Sequence, residues 1–293
     1  MDKYVLTVII TAYNRAELCL RSLKSVPKLD NIEIIIVDDG SIDNLGELIS
    51  PLLSDRIKYF YKDNGGAASA KNFGAKKSSG KYILFLDSDD YFSSESAFRN
   101  IVDLCKNSTV DFLYSESITV LKNGKVETEE TPFKLSKGNI YEYVLASPLN
   151  YPGKPSYVFR RLSFLNVSGF DEKTKWGDAV LFWRLFLSNA TYQPIKVTNY
   201  VYDQSSENSV SRGNHSAEHF SEILDTIYRS YISIESILKL KGYAYNWLII
   251  ILALSIKSKK YRMIINIILK LAASPISSFK AVLYILRRRF HRG

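Results

Sequence analysis

Three aspartates follow directly after one of the most apolar stretches of the chain. Asp87, Asp89 and Asp90 stand in the sequence LDSDD, behind the apolar run from Tyr82 to Leu86. Because neighbouring carboxylates repel one another, we expect the three to be exposed together and to face a cation. Carboxylate oxygens suit a hard divalent cation, and Mg²⁺ usually completes its shell with water and a substrate's phosphates. The spacing therefore predicts an Mg²⁺ or Mn²⁺ site at Asp87 and Asp89, and the alternative is that both aspartates only cap a turn or a helix.

The elements around these aspartates alternate between strands and helices over about the first ninety residues. Four runs predict strands, of which the first is almost wholly apolar as a strand buried on both faces should be, and most of the segments between them have helical spacing. Such alternation is typical of a doubly wound, mostly parallel α/β sheet, in which ligands bind at the carboxyl ends of the strands. The predicted strands are VLTVIITAY, IEIIIVDDGS, IKYFYKD and KYILFLDSDD, and their polar ends supply Thr11, Tyr13, Asp38, Asp39, Asp87 and Asp89.

The remainder of the chain is less regular. Asn123-Gly124 predicts the turn of a β-hairpin, and a helix is expected from about Asp178 to Leu187. The stretch YQPIKVTNYVYDQ has strand character, and the pattern is helical from Ala217 onward.

Five motifs follow one another along residues 4–190. They are VIITAYNR, IIIVDDGSID, NGGAASAKNFGAKKSSGKYILFLDSDD, FRRLSFLNVSGFDE and WGDAVLFWRL. In this order they resemble the family 2 glycosyltransferases, including bacterial enzymes of cell-surface polysaccharide and O-antigen assembly. The resemblance implies a GT-A type fold, a nucleotide-diphospho-sugar donor and inversion at the anomeric carbon. It also implies a domain organisation: a GT-A domain at 1–215, with a nucleotide-sugar-binding half at 1–100 and an acceptor-binding half at 101–215, and a helical region at 216–293.

The resemblance assigns three residues at the first two strand ends to the donor nucleoside. Thr11 and Tyr13 would flank the base or the ribose. Asp39, the second acid of DDGS, would accept a hydrogen bond from the N3–H of uracil, because a carboxylate suits an imide donor. This assignment favours a UDP-sugar, and a dTDP-sugar remains an alternative because thymine offers the same edge.

Four further residues are assigned to the diphosphate and its metal. Asp87 would contact the ribose and lie beside the metal, and Asp89 would coordinate the metal, which neutralises the departing diphosphate. Lys71 stands where the family usually has arginine, so it would hold a phosphate as a point charge without a bidentate fork. Arg212, in the polar loop SVSRGN, would close over the diphosphate, and the alternative is a solvated loop arginine.

Asp178, in WGDAVLFWRL, is assigned as the catalytic base. An inverting transferase needs one carboxylate opposite the leaving group, which takes the proton of the acceptor hydroxyl as that oxygen attacks. Asp is also a frequent helix N-cap, and both roles are compatible. Gly177 departs from the family's usual Glu-Asp pair. Trp176 would stack on an acceptor sugar or pack in a core, and Arg184 would pair with a carboxylate to hold the helix.

The formal net charge of +9 is concentrated in one segment. Residues 236–293 contain twelve of the 39 Lys and Arg and none of the 30 Asp and Glu, which leaves 27 basic and 30 acidic residues in 1–235. The apolar run AYNWLIIILALSI is shorter than the roughly 20 residues that a membrane span needs. Amphipathic helices of this composition lie in the interface of anionic lipid, and the alternative is a helical bundle with a solvated basic face.

These features predict a peripheral or monotopic protein at the cytoplasmic face of the inner membrane, bound to an anionic surface through residues 236–293. The acceptor would then be a glycan or a polyprenyl-diphosphate-linked glycan.

Cys19 and Cys105 are far apart and have no metal-ligand spacing, which indicates buried thiols in a reducing compartment. We expect no nucleic-acid partner, because basic residues interleaved with Ile and Leu runs suit lipid better than a phosphate backbone.

Three other functions compete with this interpretation. A sugar nucleotidyltransferase has a similar sheet, but it carries a glycine-rich, basic signature where this chain has TAYNR. A dinucleotide oxidoreductase needs G-x-G-x-x-G after a strand, and the sequence has none. A non-catalytic, membrane-bound scaffold with a transferase fold is the alternative from a different class, and the intact Asp39, Asp89 and Asp178 argue against it.

Overall fold

The chain divides into two compact units. The first contains Met1–Leu135, Pro152–Glu172 and Arg184–Arg212, and the second contains Ser136–Tyr151, Lys173–Trp183 and Gly213–Gly293. The expected domain boundary at residue 215 stays a prediction. The computed structural model describes residues 3–122, 124–130, 157–174, 177–196, 200–203, 221, 224–232, 235 and 244–272.

A seven-stranded sheet forms the centre of the first unit. Its strands are β1 (Tyr4–Ala12), β2 (Ile32–Asp38), β3 (Ile57–Tyr61), β4 (Gly80–Asp87), β6 (Phe112–Ser115), β9 (Tyr157–Arg160) and β10 (Tyr192–Ile195), in the order β10-β6-β9-β4-β1-β2-β3. β1 pairs in parallel with β2 and β4, β2 with β3, and β6 with β10, whereas β9 runs antiparallel to its two neighbours. The predicted α/β, mostly parallel sheet is confirmed.

Helices cover both faces of this sheet, which is why its central strands are mostly apolar. Cys19 and Phe98 are fully buried in the core on one face, together with Val8 of β1. On the other face Gly74 lies so close to the sheet that a Cβ there would stand 2.5 Å from Ile9 Cγ2. The helices of this unit are α1 (Ala16–Ser25), α2 (Leu45–Ile49) with a 3₁₀ turn at Ser50–Leu52, α3 (Ala67–Lys77), α4 (Glu95–Asn107) and α5 (Arg161–Asn166).

A second sheet in the same unit has four strands. They are β5 (Tyr91–Phe92), β7 (Ser117–Lys122), β8 (Lys125–Glu130) and β11 (Tyr200–Asp203), in the order β5-β11-β7-β8. β7 and β8 pair antiparallel with Lys122 opposite Lys125, which confirms the hairpin predicted at Asn123-Gly124. The strand character of YQPIKVTNYVYDQ is confirmed by two strands, of which β10 joins the large sheet and β11 joins the small one.

The second unit is helical where the structure describes it. α6 (Gly177–Leu187), whose residues up to Trp183 belong to this unit, confirms the helix predicted from about Asp178. α7 (Ala244–Lys257) and α8 (Tyr261–Ala272) follow a helical stretch at 224–232. The rings of Trp183 and Trp247 pack with centroids 5.3 Å apart. Among the described residues, no helix is both long enough and apolar enough to cross a membrane.

The two cysteines are buried thiols, as predicted. Both Cys19 and Cys105 have no exposed surface. Burial raises the pKa of the Cys19 thiol to about 12 and raises that of Cys105 as well, because a thiolate would lose its solvation there. These thiols are therefore inert packing groups rather than nucleophiles.

Candidate active site

The carboxyl ends of β1, β2 and β4 lie side by side at one edge of the large sheet. Thr11 of β1 is in register with Val37 of β2 and with Asp87 of β4. Thr11 is buried, whereas Tyr13, just beyond β1, is 51% exposed. The sheet therefore brings two of the predicted donor residues, Thr11 and Asp87, next to each other and leaves the Tyr13 ring accessible.

The segments after β1 and β2 are joined by a reciprocal pair of hydrogen bonds. The backbone N–H of Asn14 donates to Ser41 Oγ (2.9 Å), and Asn14 Oδ1 accepts from the N–H of Ile42 (2.9 Å). Asn14 has φ of 51°, a left-handed conformation that Asn tolerates better than most residues. These bonds fix the backbone that carries Tyr13 against the DDGS segment.

Asp39 organises the glycine-rich segment before α3. Its carboxylate is buried and accepts from Lys62 Nζ (2.5 Å), Gly65 N (3.0 Å) and Gly66 N (2.7 Å). These donors take three of the roughly four acceptor positions of a carboxylate. Gly66 has φ of 84°, which only glycine adopts readily, and α3 begins at the next residue. The predicted contact of Asp39 with uracil would use the acceptor capacity that remains.

Asp38, the first acid of DDGS, has a structural task. It is buried, and its carboxylate accepts from Ser41 N (2.8 Å) and from the hydroxyl of Tyr59 (2.5 Å). Burial, together with this hydrogen bond to Asp38, raises the pKa of Tyr59, so the phenol stays a donor. The two neighbouring acids therefore differ: Asp38 holds the β2 end and Asp39 holds the approach to α3.

Two predicted metal ligands form ion pairs with basic side chains of the chain itself. Lys71 Nζ of α3 lies 2.7 Å from Asp87 Oδ1, and Arg15 Nη1 lies 2.7 Å from Asp89 Oδ2. Both carboxylates retain solvent access, with 35% of the Asp87 side chain and 15% of the Asp89 side chain exposed. The cations that the aspartate cluster requires thus include Lys71 and Arg15.

The expectation that all three aspartates are exposed is wrong for Asp90. Asp90 has no exposed surface, and its carboxylate accepts from the hydroxyl of Tyr200 and from Asp203 N (3.0 Å). Burial, followed by the charge of Asp87, raises the pKa of Asp90 well above its usual value. Asp90 follows the turn after β4, and its carboxylate is satisfied by two residues of β11, so Asp90 is an anchor for β11 rather than a ligand.

Two side chains of α1 hold the backbone of the aspartate segment. Arg21 donates to the carbonyl oxygen of Asp89 and to Asp203 Oδ2 (3.1 Å). Ser22 Oγ donates to the carbonyl oxygens of Ser88 (2.8 Å) and Asp90. The backbone that carries Asp89 is therefore tied to α1.

The residues present fit a divalent cation that shares its shell with a diphosphate. Among the described residues, no group of three or more His, Cys, Asp and Glu could hold a metal by itself. Asp87 and Asp89 offer two partly exposed carboxylates, which is the small protein contribution that Mg²⁺ accepts when phosphates and water complete its shell.

Arg15, Arg21 and Lys62 were missed by sequence reasoning. Arg15 stands in the motif VIITAYNR, two residues after Tyr13, and its place in this motif could have marked it as a site residue. Arg21 is the sixth residue of α1, and Lys62 directly follows β3. Nothing in their spacing indicates that each meets an aspartate of a different strand end.

The loop between α5 and α6 is fastened to α3 by one buried amide. Asn72 Nδ2 donates to Phe170 O (2.9 Å) and to Glu172 Oε1 (2.8 Å), and Asn72 Oδ1 accepts from Phe170 N (2.9 Å). The adjacent residue on α3 is Lys71, whose ammonium lies 5.8 Å from the centre of the Phe170 ring. One helix therefore carries the Asp87 ion pair and also the support of this loop.

Gly169 allows this close approach. It has φ of 59°, and a Cβ there would stand 2.4 Å from Asn72 Oδ1 and 2.8 Å from Phe164 Cε1. Arg184 braces the same loop, since it pairs with Asp171 (3.1 Å) and donates to the carbonyl oxygen of Gly169 (3.3 Å). The structural task predicted for Arg184 is confirmed.

Asp178 lies in the first turn of α6, in the second unit. It is half-buried, and its Oδ1 accepts from the N–H of Ala179 (2.9 Å). The helix begins at Gly177, so Asp178 lies one residue inside α6 and this bond is not the N-cap bond to the second or third N–H. The role of Asp178 as a base stays a prediction. Trp176 and Arg212 lie outside the described residues.

The chain belongs to Glycosyl transferase family 2, whose family model matches residues 7–155, about half of its length. This confirms the resemblance read from the motifs. An uncharacterized glycosyltransferase of Rickettsia conorii is 34% identical over 182 residues, which cover 61% of this chain and 29% of that protein. A protein of Escherichia coli named UDP-Glc:alpha-D-GlcNAc-diphosphoundecaprenol beta-1,3-glucosyltransferase WfgD is 32% identical over 139 residues, covering 46% and 54%. The chain thus spans less than a third of the Rickettsia relative.

Solved glycosyltransferases share the fold. TarS of S. aureus, in complex with UDP-GlcNAc, matches with a TM-score of 0.61 and 18% identity, covering 85% of this chain and 81% of that chain. The mannosyltransferase PcManGT from Pyrobaculum calidifontis, in complex with GDP-Man and Mn²⁺, matches with a TM-score of 0.53 and 16% identity, covering 94% and 83%. At these identities the likeness concerns the fold alone, and the mixed, mostly parallel sheet is that of the GT-A glycosyltransferases.

Proposed function

We propose that this chain is an inverting glycosyltransferase that moves a sugar from a UDP-sugar to a hydroxyl of a glycan or lipid-linked glycan in cell-surface polysaccharide assembly. The observation that carries the proposal is the group of ion pairs at one sheet edge, Lys71 with Asp87 and Arg15 with Asp89. Family membership supports the reaction type. The names of the E. coli and S. aureus proteins support a UDP-sugar donor, and the former supports a polyprenyl-diphosphate-linked acceptor.

The donor nucleoside would lie along the ends of β1 and β2. The exposed Tyr13 ring offers a face for the base, Thr11 borders the ribose, and Asp39 accepts from the N3–H of uracil. Lys71 would hold a phosphate oxygen, and Arg212 would close over the diphosphate from its loop. Each contact uses a charge or donor type that matches the donor group.

Asp87 and Asp89 would hold the Mg²⁺ or Mn²⁺ that balances the charge of the leaving diphosphate. The Mn²⁺ bound in the Pyrobaculum enzyme supports this choice of metal. Lys71 and Arg15, which pair with these two aspartates, would add positive charge where negative charge develops.

Asp178 would act as the general base. Its carboxylate takes the proton of the acceptor hydroxyl while that oxygen forms a bond to the anomeric carbon. The bond from that carbon to the diphosphate oxygen breaks, UDP departs with the electron pair, and the anomeric configuration inverts. Trp176, two residues before, would offer a ring to the acceptor sugar.

The acceptor and the basic tail together suggest where the chain works. A polyprenyl-linked acceptor is confined to a membrane, and residues 236–293 carry twelve basic residues and no acidic ones. We therefore place the chain at the cytoplasmic face of the cell membrane as a peripheral protein.

Release of UDP tests this function. The chain would be incubated with Mn²⁺, a panel of UDP-sugars and a membrane extract, and transfer should be lost by at least a hundredfold in Asp178→Asn while UDP binding stays within twofold. Asp103→Asn, on the exposed side of α4, is the matched control and should keep full activity. If no donor is turned over by the unaltered chain, the non-catalytic scaffold is the correct reading.

A further inference from the structure

Helix α8 has apolar side chains on two opposite sides. Ile267 is fully buried on one side. On the other side Tyr261, Ile265, Ile268 and Leu269 are 70%, 59%, 50% and 63% exposed. A helix that only packs on its own unit would carry polar residues on that outer side. The outer side of α8 is therefore built for a partner.

The four exposed residues form one continuous stripe. At 3.6 residues per turn, positions 261, 265, 268 and 269 fall within an arc of about 100°, and that arc lies opposite Ile267. We call these four residues the exposed stripe. Contiguous apolar surface of this kind marks sites of membrane or protein interaction rather than ordinary solvated surface.

The charges around α8 are sorted between its two sides. Lys260 Nζ lies 2.7 Å from Asp225 Oδ1, and Lys270 Nζ lies 3.3 Å from Glu235 Oε2, so acidic residues of the same unit balance these two lysines. Lys259 is exposed in the turn before α8, and Arg262 is exposed in the first turn of α8, where it borders the exposed stripe. The apolar side of the helix is thus fringed by positive charge.

We propose that the exposed stripe inserts among the headgroups of an anionic bilayer, with Lys259 and Arg262 against the lipid phosphates. This inference rests on the proposed function in one respect, since a lipid-linked acceptor would be met at that surface. It narrows the proposed membrane contact from the 58 residues of 236–293 to helix α8 and the turn before it, both of which the structure describes.

Charge favours a bilayer over a second copy of the chain as the occupant. A symmetric contact through the stripe would bring the same Lys259 and Arg262 of both copies to one interface. Residues 236–293 contain no acidic side chain that could compensate them. An anionic headgroup layer supplies the missing negative charge, and each basic residue near such a surface strengthens binding roughly fivefold.

Sedimentation with vesicles tests the proposal. The full chain is mixed with phosphatidylcholine vesicles that either contain or lack one quarter phosphatidylglycerol. The unaltered chain should pellet with the anionic vesicles, Ile265→Asp/Leu269→Asp should bind at least tenfold more weakly, and Lys259→Glu/Arg262→Glu should bind more weakly and lose its salt dependence. Val126→Asp, at a residue 64% exposed on β8, should bind as the unaltered chain does.

Two control measurements separate the possible failures. Circular dichroism melting shows whether each variant is folded, and calorimetric titration with UDP and Mn²⁺ shows whether the donor site survives. The proposal is overturned if Ile265→Asp/Leu269→Asp pellets with the vesicles as the unaltered chain does. It is also overturned if size-exclusion chromatography shows that the unaltered chain is a dimer and this variant a monomer. If vesicle binding depends on the exposed stripe but the chain never turns over a donor, the membrane role of the stripe is supported and the proposed transferase function is rejected.

Discussion

Lys71 and Asn72 are adjacent on α3 and serve two different parts of the first unit. Lys71 pairs with Asp87 at 2.7 Å, whereas Asn72 holds the Phe170 backbone through bonds of 2.9 Å. Phe170 in turn lies beneath the Lys71 ammonium. Any shift of α3 therefore changes the sheet edge at Asp87 and the loop before α6 together.

The Arg15–Asp89 pair predicts competition with a divalent cation. Arg15 Nη1 occupies one oxygen of Asp89, so Arg15→Ala should raise the affinity for Mn²⁺ roughly fivefold, the effect of removing a partly exposed ion pair of about 1 kcal/mol. Titration of free Mn²⁺ by electron paramagnetic resonance measures this affinity without any need for turnover.

A matched control exists on another part of the sheet. Arg56 pairs with the exposed Asp30 at 2.8 Å, and Arg56→Ala should leave Mn²⁺ binding unchanged. Weaker Mn²⁺ binding by Arg15→Ala would mean that Arg15 supports the site instead of competing for it.

Asn72→Ala should lower the free energy of unfolding by about 2–3 kcal/mol. The substitution removes three hydrogen bonds and leaves the backbone groups of Phe170 without their buried partner. Urea denaturation measures the loss. Asn100→Ala, on the exposed side of α4, should change stability by less than about 0.5 kcal/mol. Equal stabilities of the two variants would contradict the anchoring role.

Glu33 predicts a specific dependence of stability on pH. Burial alone would raise the pKa of Glu33, but hydrogen bonds from Lys58, Ser79 and Thr7 lower it below the ordinary 4.5. A lowered pKa means that folding favours the ionised carboxylate. Its contribution is therefore present above about pH 4.5 and is lost as the pH falls through the lower, folded-state pKa.

Melting temperatures at several pH values check this sign. At pH 7 the unaltered chain should melt at a higher temperature than Glu33→Gln. This difference in melting temperature should shrink below about pH 4.5. Asn100→Ala, which changes an exposed residue of α4 that carries no ionisable group, should show no such trend. A gap that widens in acid would contradict the assignment.

The sequence predicts those parts of the fold that depend on local pattern. The apolar runs of β1, β2 and β4 indicate strands buried on both faces, and Asn123-Gly124 indicates the β7–β8 hairpin. The burial of Asp90 could not be predicted, because its partner Tyr200 stands 110 residues away. Asp90 lies beyond the end of β4, where strand periodicity does not set the direction of a side chain, and no local pattern reveals which distant donor satisfies it. For the same reason the pairing of Arg15 with Asp89, 74 residues apart, escapes the sequence.

A crystal of the chain soaked with UDP and Mn²⁺ tests the central claim most directly. The anomalous signal of Mn²⁺ should lie at a coordination distance of about 2 Å from a carboxylate oxygen of Asp89, beside Asp87, with both phosphates of UDP on the same ion. A pyrophosphate bound away from Asp87 and Asp89, with no ion near either carboxylate, would contradict the proposed catalyst.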